Sequence, residues 1–204
     1  MREHKNTVDE MNEAELSGMV MNRPHTAFIK DGEWYSRFTL QSTRRSSVKD
    51  EIPVYIKGEI HLEPGLKVRV RGAMRSYSQH VGAKSRLLVY VMANEVIEGE
   101  IQEEPADINK IHISGFVCKV NGLRETPLGR VITEMIVAVN HEDGSSSYLP
   151  CITWGSTART TDRLRPGDKV QLKARFQSRS YAKVMEGQEK TKTAYELSVL
   201  EMVV

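Results

Sequence analysis

Residues 148–155, YLPCITWG, restate residues 52–58, IPVYIKG, with one residue added in front. Both are short apolar runs closed by a glycine. Successive side chains of a strand point to opposite faces, so Tyr148, Ile152 and Trp154 share one side of a pleat, opposite Leu149 and Cys151. In the earlier run Ile52, Val54 and Ile56 form the apolar set, which leaves Glu51, Tyr55 and Lys57 on the other face.

The two runs lie 97 residues apart, and that offset extends beyond them. LSGMVM (16–21) matches ISGFVC (113–118), and FTL (38–40) matches MIV (135–137). After a short insertion LEPGLKVRVRGAMRSY (62–77) matches LRPGDKVQLKARFQSRSY (164–181), and YVMANEV (90–96) matches ELSVLEM (196–202). The chain is therefore a duplication. It divides into a flexible N-terminal tail (1–11), a first copy (12–98), an acidic linker (99–108) and a second copy (109–204).

Each copy alternates Val, Ile and Thr between clusters of Gly, Pro, Asp and Ser, which predicts five strands per copy. In the second copy they fall near 110–120, 131–140, 147–154, 169–177 and 193–202, with a short helix at STARTTDRL after the third strand. That element order in about 100 residues is the order of the OB-fold, a small Greek-key barrel whose face binds oligonucleotides or oligosaccharides. The expected class is all-β with minor helix, as two tandem five-stranded barrels.

Composition sets the remaining bounds. With 39% hydrophobic and 27% charged residues the chain has a globular balance, no stretch fit to span a bilayer, and no signal-like segment at its start. A cytoplasmic, nucleoid-associated protein is expected, with no membrane partner. Cys118 and Cys151 sit in apolar runs, which suits reduced, packed thiols. The six histidines have no ligand spacing, so neither metal nor cofactor is expected. The net charge of +2 hides a division: 12–98 carries +3 and 109–204 carries +4, whereas the linker holds four acids and no base. Two mildly basic copies permit a nucleic-acid partner.

Parity along the fourth strand sharpens that expectation. In the second copy Val170, Leu172, Ala174 and Phe176 form the core set, and Lys173, Arg175, Arg179, Tyr181 and Lys183 face outward. In the first, Val68, Val70 and Met74 point inward, and Arg69, Arg71, Arg75 and Tyr77 outward. Rings interleaved with cations suit a single strand, whose bases stack for about 1–3 kcal/mol each while Lys and Arg track the phosphates. A packing role at a barrel end is the competing reading for Trp154, and a rim role for Tyr148 and Tyr181.

The blocks TPLGRVITEMIVAVNH, YLPCITWGSTA, PGDKVQLKARFQSRSY and TAYELSV in the second copy resemble, in order and spacing, the bacterial single-stranded DNA-binding protein (SSB) family. Arg124, just before the first block, and Lys183, beyond the third, are further expected nucleic-acid contacts. The first copy resembles a diverged member. The resemblance implies base stacking on Tyr148, Trp154 and Tyr181 and phosphate contacts from Lys173, Arg175 and Arg179. The first copy has Lys57 where the second has Trp154. Its binding would rest on Arg44, Arg45, Lys57, Arg69, Arg71 and Arg75, with Tyr55 and Tyr77 as stackers. The family's acidic tail has no counterpart in the closing ELSVLEMVV, so recruitment of replication or repair proteins through such a tail is not expected. A homodimer would supply the family's four OB domains.

The expected function is non-enzymatic, sequence-tolerant binding of single-stranded DNA in replication, recombination or repair. RNA stays open, because a stacking groove does not read the sugar. The alternative is a primosome-like adaptor in which one copy binds protein. No Gly-rich phosphate loop, HExxH or nucleophile elbow supports catalysis.

Overall fold

A computed structural model describes residues 11–82, 84–99, 106–185 and 188–204. The expected tail lies outside the described residues except for Met11, as does the linker from 100 to 105. In chain order the elements are β1 (Asn12–Val20), β2 (His25–Lys30), β3 (Glu33–Thr43), β4 (Lys49–Lys57), β5 (Lys67–Val81), β6 (Lys84–Glu98), β7 (Asn109–Glu125), β8 (Val131–Asn140), β9 (Ser146–Trp154), α1 (Gly155–Thr161), β10 (Lys169–Met185) and β11 (Gln188–Val203). The strands form one sheet in the order β10-β11-β9-β8-β7-β1-β5-β6-β4-β3-β2, and the pairings β1–β3 and β10–β7 close it into two barrels. Within each barrel one strand pair is parallel, β4 with β6 and β9 with β11. No helix among the described residues is long and apolar enough to cross a membrane.

The predicted inward sets make the core. Leu16, Phe38, Leu40, Ile52 and Met74 are fully buried in the first barrel, as are Leu149, Phe176 and Leu197 in the second. The repeat also explains two recurring small or polar residues. Gly18 and Gly115 lie where the first strand of each barrel crosses a neighbour. A Cβ on Gly18 would stand 2.2 Å from the carbonyl oxygen of Gln41, and one on Gly115 would stand 2.4 Å from that of Ala138. Neither backbone can yield without opening the closing ladder. Gly115→Ala is expected to destabilise the protein by about 3 kcal/mol or more, read as a lower urea midpoint; an unchanged midpoint would show that the crossing can relax. Asn12 and Asn109 each clamp the long fourth strand: the amide of Asn12 donates to the carbonyl of Met74 and accepts its N–H, and Asn109 does the same with Phe176.

The barrels meet through an antiparallel ladder between β1 and β7, in which Ala14 faces Ile111, Asn12 faces Ile113 and Leu16 faces Asn109. Ala14 and Ile111 are themselves 97 apart, so the ladder is centred on equivalent residues and relates the barrels by a local two-fold. The flanking seam obeys the same symmetry. The Ser178 hydroxyl accepts the N–H of Glu51 at 3.0 Å, and the Ser76 hydroxyl accepts that of Tyr148 at 2.7 Å. The end of the linker is pinned as well, since Asp107 exchanges hydrogen bonds with Thr43, and Ile108 with Ser17.

Three expectations change. The first copy has six strands, because its first strand breaks before Pro24, which lacks the N–H to continue the ladder, and resumes as β2. In the second copy β7 runs on to Glu125 without a break. The β10–β11 hairpin is also longer than predicted, reaching Met185 and restarting at Gln188. Finally, the sequence match of RSY with RSY is out of register in space. The asparagine clamps equate Met74 with Phe176, so Tyr77 corresponds to Arg179, and Tyr181 stands two residues further out along the strand.

Candidate nucleic-acid interface

On β9, Tyr148, Pro150, Ile152 and Trp154 share the outer face, as parity requires. Tyr148 is 50% exposed and Trp154 37%. Trp154 ends the strand in extended conformation, and Gly155, with φ +57°, turns the chain into α1. The indole N–H donates to the Ser198 hydroxyl at 3.3 Å, which holds the ring at the barrel surface. Tyr181, on the outer part of β10, is 39% exposed with the Arg179 guanidinium 6.0 Å from its ring. All three rings are thus presented to solvent. They lie on the outer face of one barrel, not within its core.

A groove of about 380 Å³ crosses that face. Ile136 and Pro150 line one side, Arg179 and Tyr181 the other, and Arg86 and Leu87 of β6 bring the first barrel to its edge. Tyr148 and Trp154 lie along β9 on either side of Pro150. Two carboxylates absent from the sequence expectation also stand here, Glu134 and Glu196. Glu134 pairs with Arg124, which removes Arg124 from the set of open cations. Burial raises Glu196 above the usual carboxylate range, opposed by Arg179 and reinforced by Glu134. The folded chain therefore holds this proton more tightly than the unfolded one. The stability it contributes is complete below the ordinary pKa of 4.5 and is lost as pH rises through the folded value. Glu196→Gln is expected to raise the melting temperature at neutral pH, with a gain that shrinks in acid; a gain independent of pH would assign the effect to packing.

The first barrel differs. Tyr55, expected to face outward and stack bases, is on the outer side but only 6% exposed. The β2–β3 hairpin covers it with Phe28, whose ring lies 5.9 Å away and stacks on Tyr35 at 4.7 Å, and Tyr90 packs against it at 4.5 Å. Burial pushes the Tyr90 phenol up to about 12. Tyr77 remains exposed at the edge of this cluster, side-on to Tyr90. Trp34, exposed on the same hairpin opposite Ile29, is a ring that the sequence expectation left out of its site. Its position next to the KDGE turn was the available signal.

Most of the predicted cations have an acidic partner in the folded chain. Arg44 binds Asp50 through two bonds of 2.6 Å, and Asp50 is wholly buried. Arg69 and Arg71 share Glu15, and Arg71 also reaches Glu95. Burial opposes ionisation of Glu15, but the two guanidinium groups outweigh it and hold the carboxyl below its usual range. Lys57 pairs with Glu33 at 3.2 Å and Lys173 with Glu201 at 2.6 Å. Arg75 is half-buried at the seam, where burial first and Arg75 second lower the pKa of His141. Arg45 and Arg175 line a second groove, at the junction of the barrels. The side chain of Lys183 lies outside the described residues. Cys151 is buried, and its thiol is pushed up by that burial, whereas Cys118 is half-exposed; both are free thiols.

Residues 108–203 match the single-strand binding protein family. No curated protein sequence matches the chain. Among solved structures, the wild-type single-stranded DNA binding protein of Thermus aquaticus is 19% identical, with a TM-score of 0.73 over 95% of this chain and 92% of that one. A deletion variant of the same protein is 20% identical, with a TM-score of 0.70 over 95% and 93%. At these identities the likeness establishes the fold, two tandem OB barrels in one chain. The N-terminal domain of PriB from Thermoanaerobacter tencongensis is 28% identical over 44% of this chain and 98% of its own, with a TM-score of 0.38. The match to the single-strand binding protein family thus covers the second barrel, residues 108–203, and the two-barrel fold is shared over nearly the whole chain.

Proposed function

We propose that the protein binds single-stranded DNA without reading its sequence, stacking bases on Tyr148, Trp154 and Tyr181 and drawing phosphates toward Arg175 and Arg179. The observation that carries this is the exposure of three rings on the outer face of the barrel that matches the family, with Tyr181 and Arg179 lining the groove on that face. Rings supply sequence-tolerant stacking because every base has a π-face, and the cations supply the salt-dependent part. No reaction step is assigned to any residue; the protein works in replication, recombination or repair as a binder, in the cytoplasm and on the nucleoid. Two copies would present four barrels as a homodimer.

Equilibrium titration of a labelled homopolymer single strand and of a duplex at several salt concentrations tests this. Single strands should bind more tightly, with log affinity falling linearly in log salt. Equal binding of both, or affinity independent of salt, would overturn it.

A second reading rests on the first barrel, whose stacking face is covered by Phe28 and Tyr90 and whose cations are largely paired. That barrel would contribute less to the strand and more to protein contacts, through the exposed Ile29 and Trp34 of the β2–β3 hairpin.

A further inference from the structure

Two half-buried carboxylates stand among the exposed rings of the second barrel. Across the β8–β9 ladder Ile132 faces Trp154, Glu134 faces Ile152 and Ile136 faces Pro150, so Glu134 lies diagonally beside the indole on the outer face. In the parallel β9–β11 ladder Ser198 faces Ile152, and its hydroxyl accepts the indole N–H. Glu196 is the preceding residue on that same side of β11. Both glutamates line the groove that Arg179 and Tyr181 border. Glu134 is paired with Arg124. Glu196 enters no ion pair among the described residues, although Arg179 attracts it and Glu134 repels it.

The barrel itself does not require acids at these places. The matching ladder positions of the first barrel hold Arg37, opposite Tyr55, and Tyr90, next to the Val91 that pairs with Val54. Carboxylates on a face that binds a polyanion repel its phosphates, so a phosphate does not settle between them. The edge of a base can. Cytosine, adenine and guanine each carry an exocyclic amine that donates to a carboxylate, whereas thymine and uracil carry a carbonyl oxygen where cytosine has its amine. We infer that Glu134 and Glu196 give this face a preference for amino-bearing bases, by accepting the exocyclic amine of a base stacked on the neighbouring rings. This rests on the single-strand reading above: the rings stack every base, and the carboxylates lay a bias of composition over that stacking.

Oligodeoxycytidine and oligodeoxyuridine of roughly 30 nucleotides test it, since they share sugar, phosphates and ring size and differ in the amine or carbonyl that faces the glutamates. Both are titrated against the full-length protein and against Glu134→Gln/Glu196→Gln, in a slightly alkaline buffer in which oligodeoxycytidine does not pair with itself. A melting curve verifies the fold of the variant. The unaltered protein should bind the cytidine oligomer at least about 5-fold more tightly. In the variant that ratio should fall toward one, because a side-chain amide donates as readily as it accepts. The ratio is the readout, since loss of two negative charges shifts both affinities together. Equal binding of the two oligomers by the unaltered protein, or tighter binding of the uridine oligomer, would overturn the inference. So would a cytidine preference that survives undiminished in the variant. If the unaltered protein bound neither oligomer, the single-strand reading itself would fall.

Discussion

Trp154→Ala is expected to weaken binding to single-stranded DNA by about 1–3 kcal/mol, roughly a 5- to 150-fold loss of affinity, while leaving cooperative unfolding intact. The indole is more than a third exposed and makes one long hydrogen bond to Ser198. Little of the fold therefore depends on it. Its substitution removes a platform for a base and leaves no cavity in the core. Trp154→Phe keeps a stacking ring and should recover most of the affinity. Equilibrium titration beside a melting curve separates the outcomes: a lower melting temperature with undiminished binding would return Trp154 to a packing role.

The second large effect concerns stability. Asp50→Ala is expected to cost about 3 kcal/mol, because the wholly buried carboxylate is the acceptor for two bonds from Arg44 and for the N–H of Ser178 across the seam. Removing it strands a half-buried guanidinium and an amide together. In the second barrel the equivalent pair is neutral, the His141 ring nitrogen lying 2.7 Å from the Ser147 hydroxyl, which also accepts the N–H of Ser76. Arg44→His with Asp50→Ser copies that arrangement and should recover part of the loss. Urea denaturation measures it. A loss below about 1 kcal/mol for Asp50→Ala would mean that water replaces the carboxylate and that the seam is not rigid.

Much of the fold was legible because strand alternation is a local property. The buried positions Ile52, Val54, Leu149 and Cys151 follow from parity alone, and the offset of 97 located both barrels from the residues themselves. Parity also presented Tyr148, Trp154 and Tyr181 to solvent. It did not expose Tyr55, because Phe28 covers that ring from the β2–β3 hairpin, and a hairpin's fold-back is not encoded in the strand it shields. The ion pairs escaped for the same reason: Glu15 reaches Arg69 and Arg71 from the neighbouring β1, and Glu201 reaches Lys173 from β11, so each cation was judged without its partner. The β1–β7 ladder lies further still from local sequence. It joins strands of two separate barrels, and the 97-residue spacing of Ala14 and Ile111 is the hint of a symmetric meeting. Glu134, by contrast, was within reach, since its position between the buried Thr133 and Met135 puts it outward, toward the groove.

The most direct measurement is intrinsic fluorescence of Trp34→Phe, in which Trp154 is the sole indole, during titration with a long single-stranded homopolymer. Stacking of bases on Trp154 should quench the emission to saturation, added salt should reverse it, and duplex DNA should leave it unchanged at the same concentration. Binding detected by another method with no change in Trp154 emission would contradict the assignment of the second barrel's outer face as the base-stacking site.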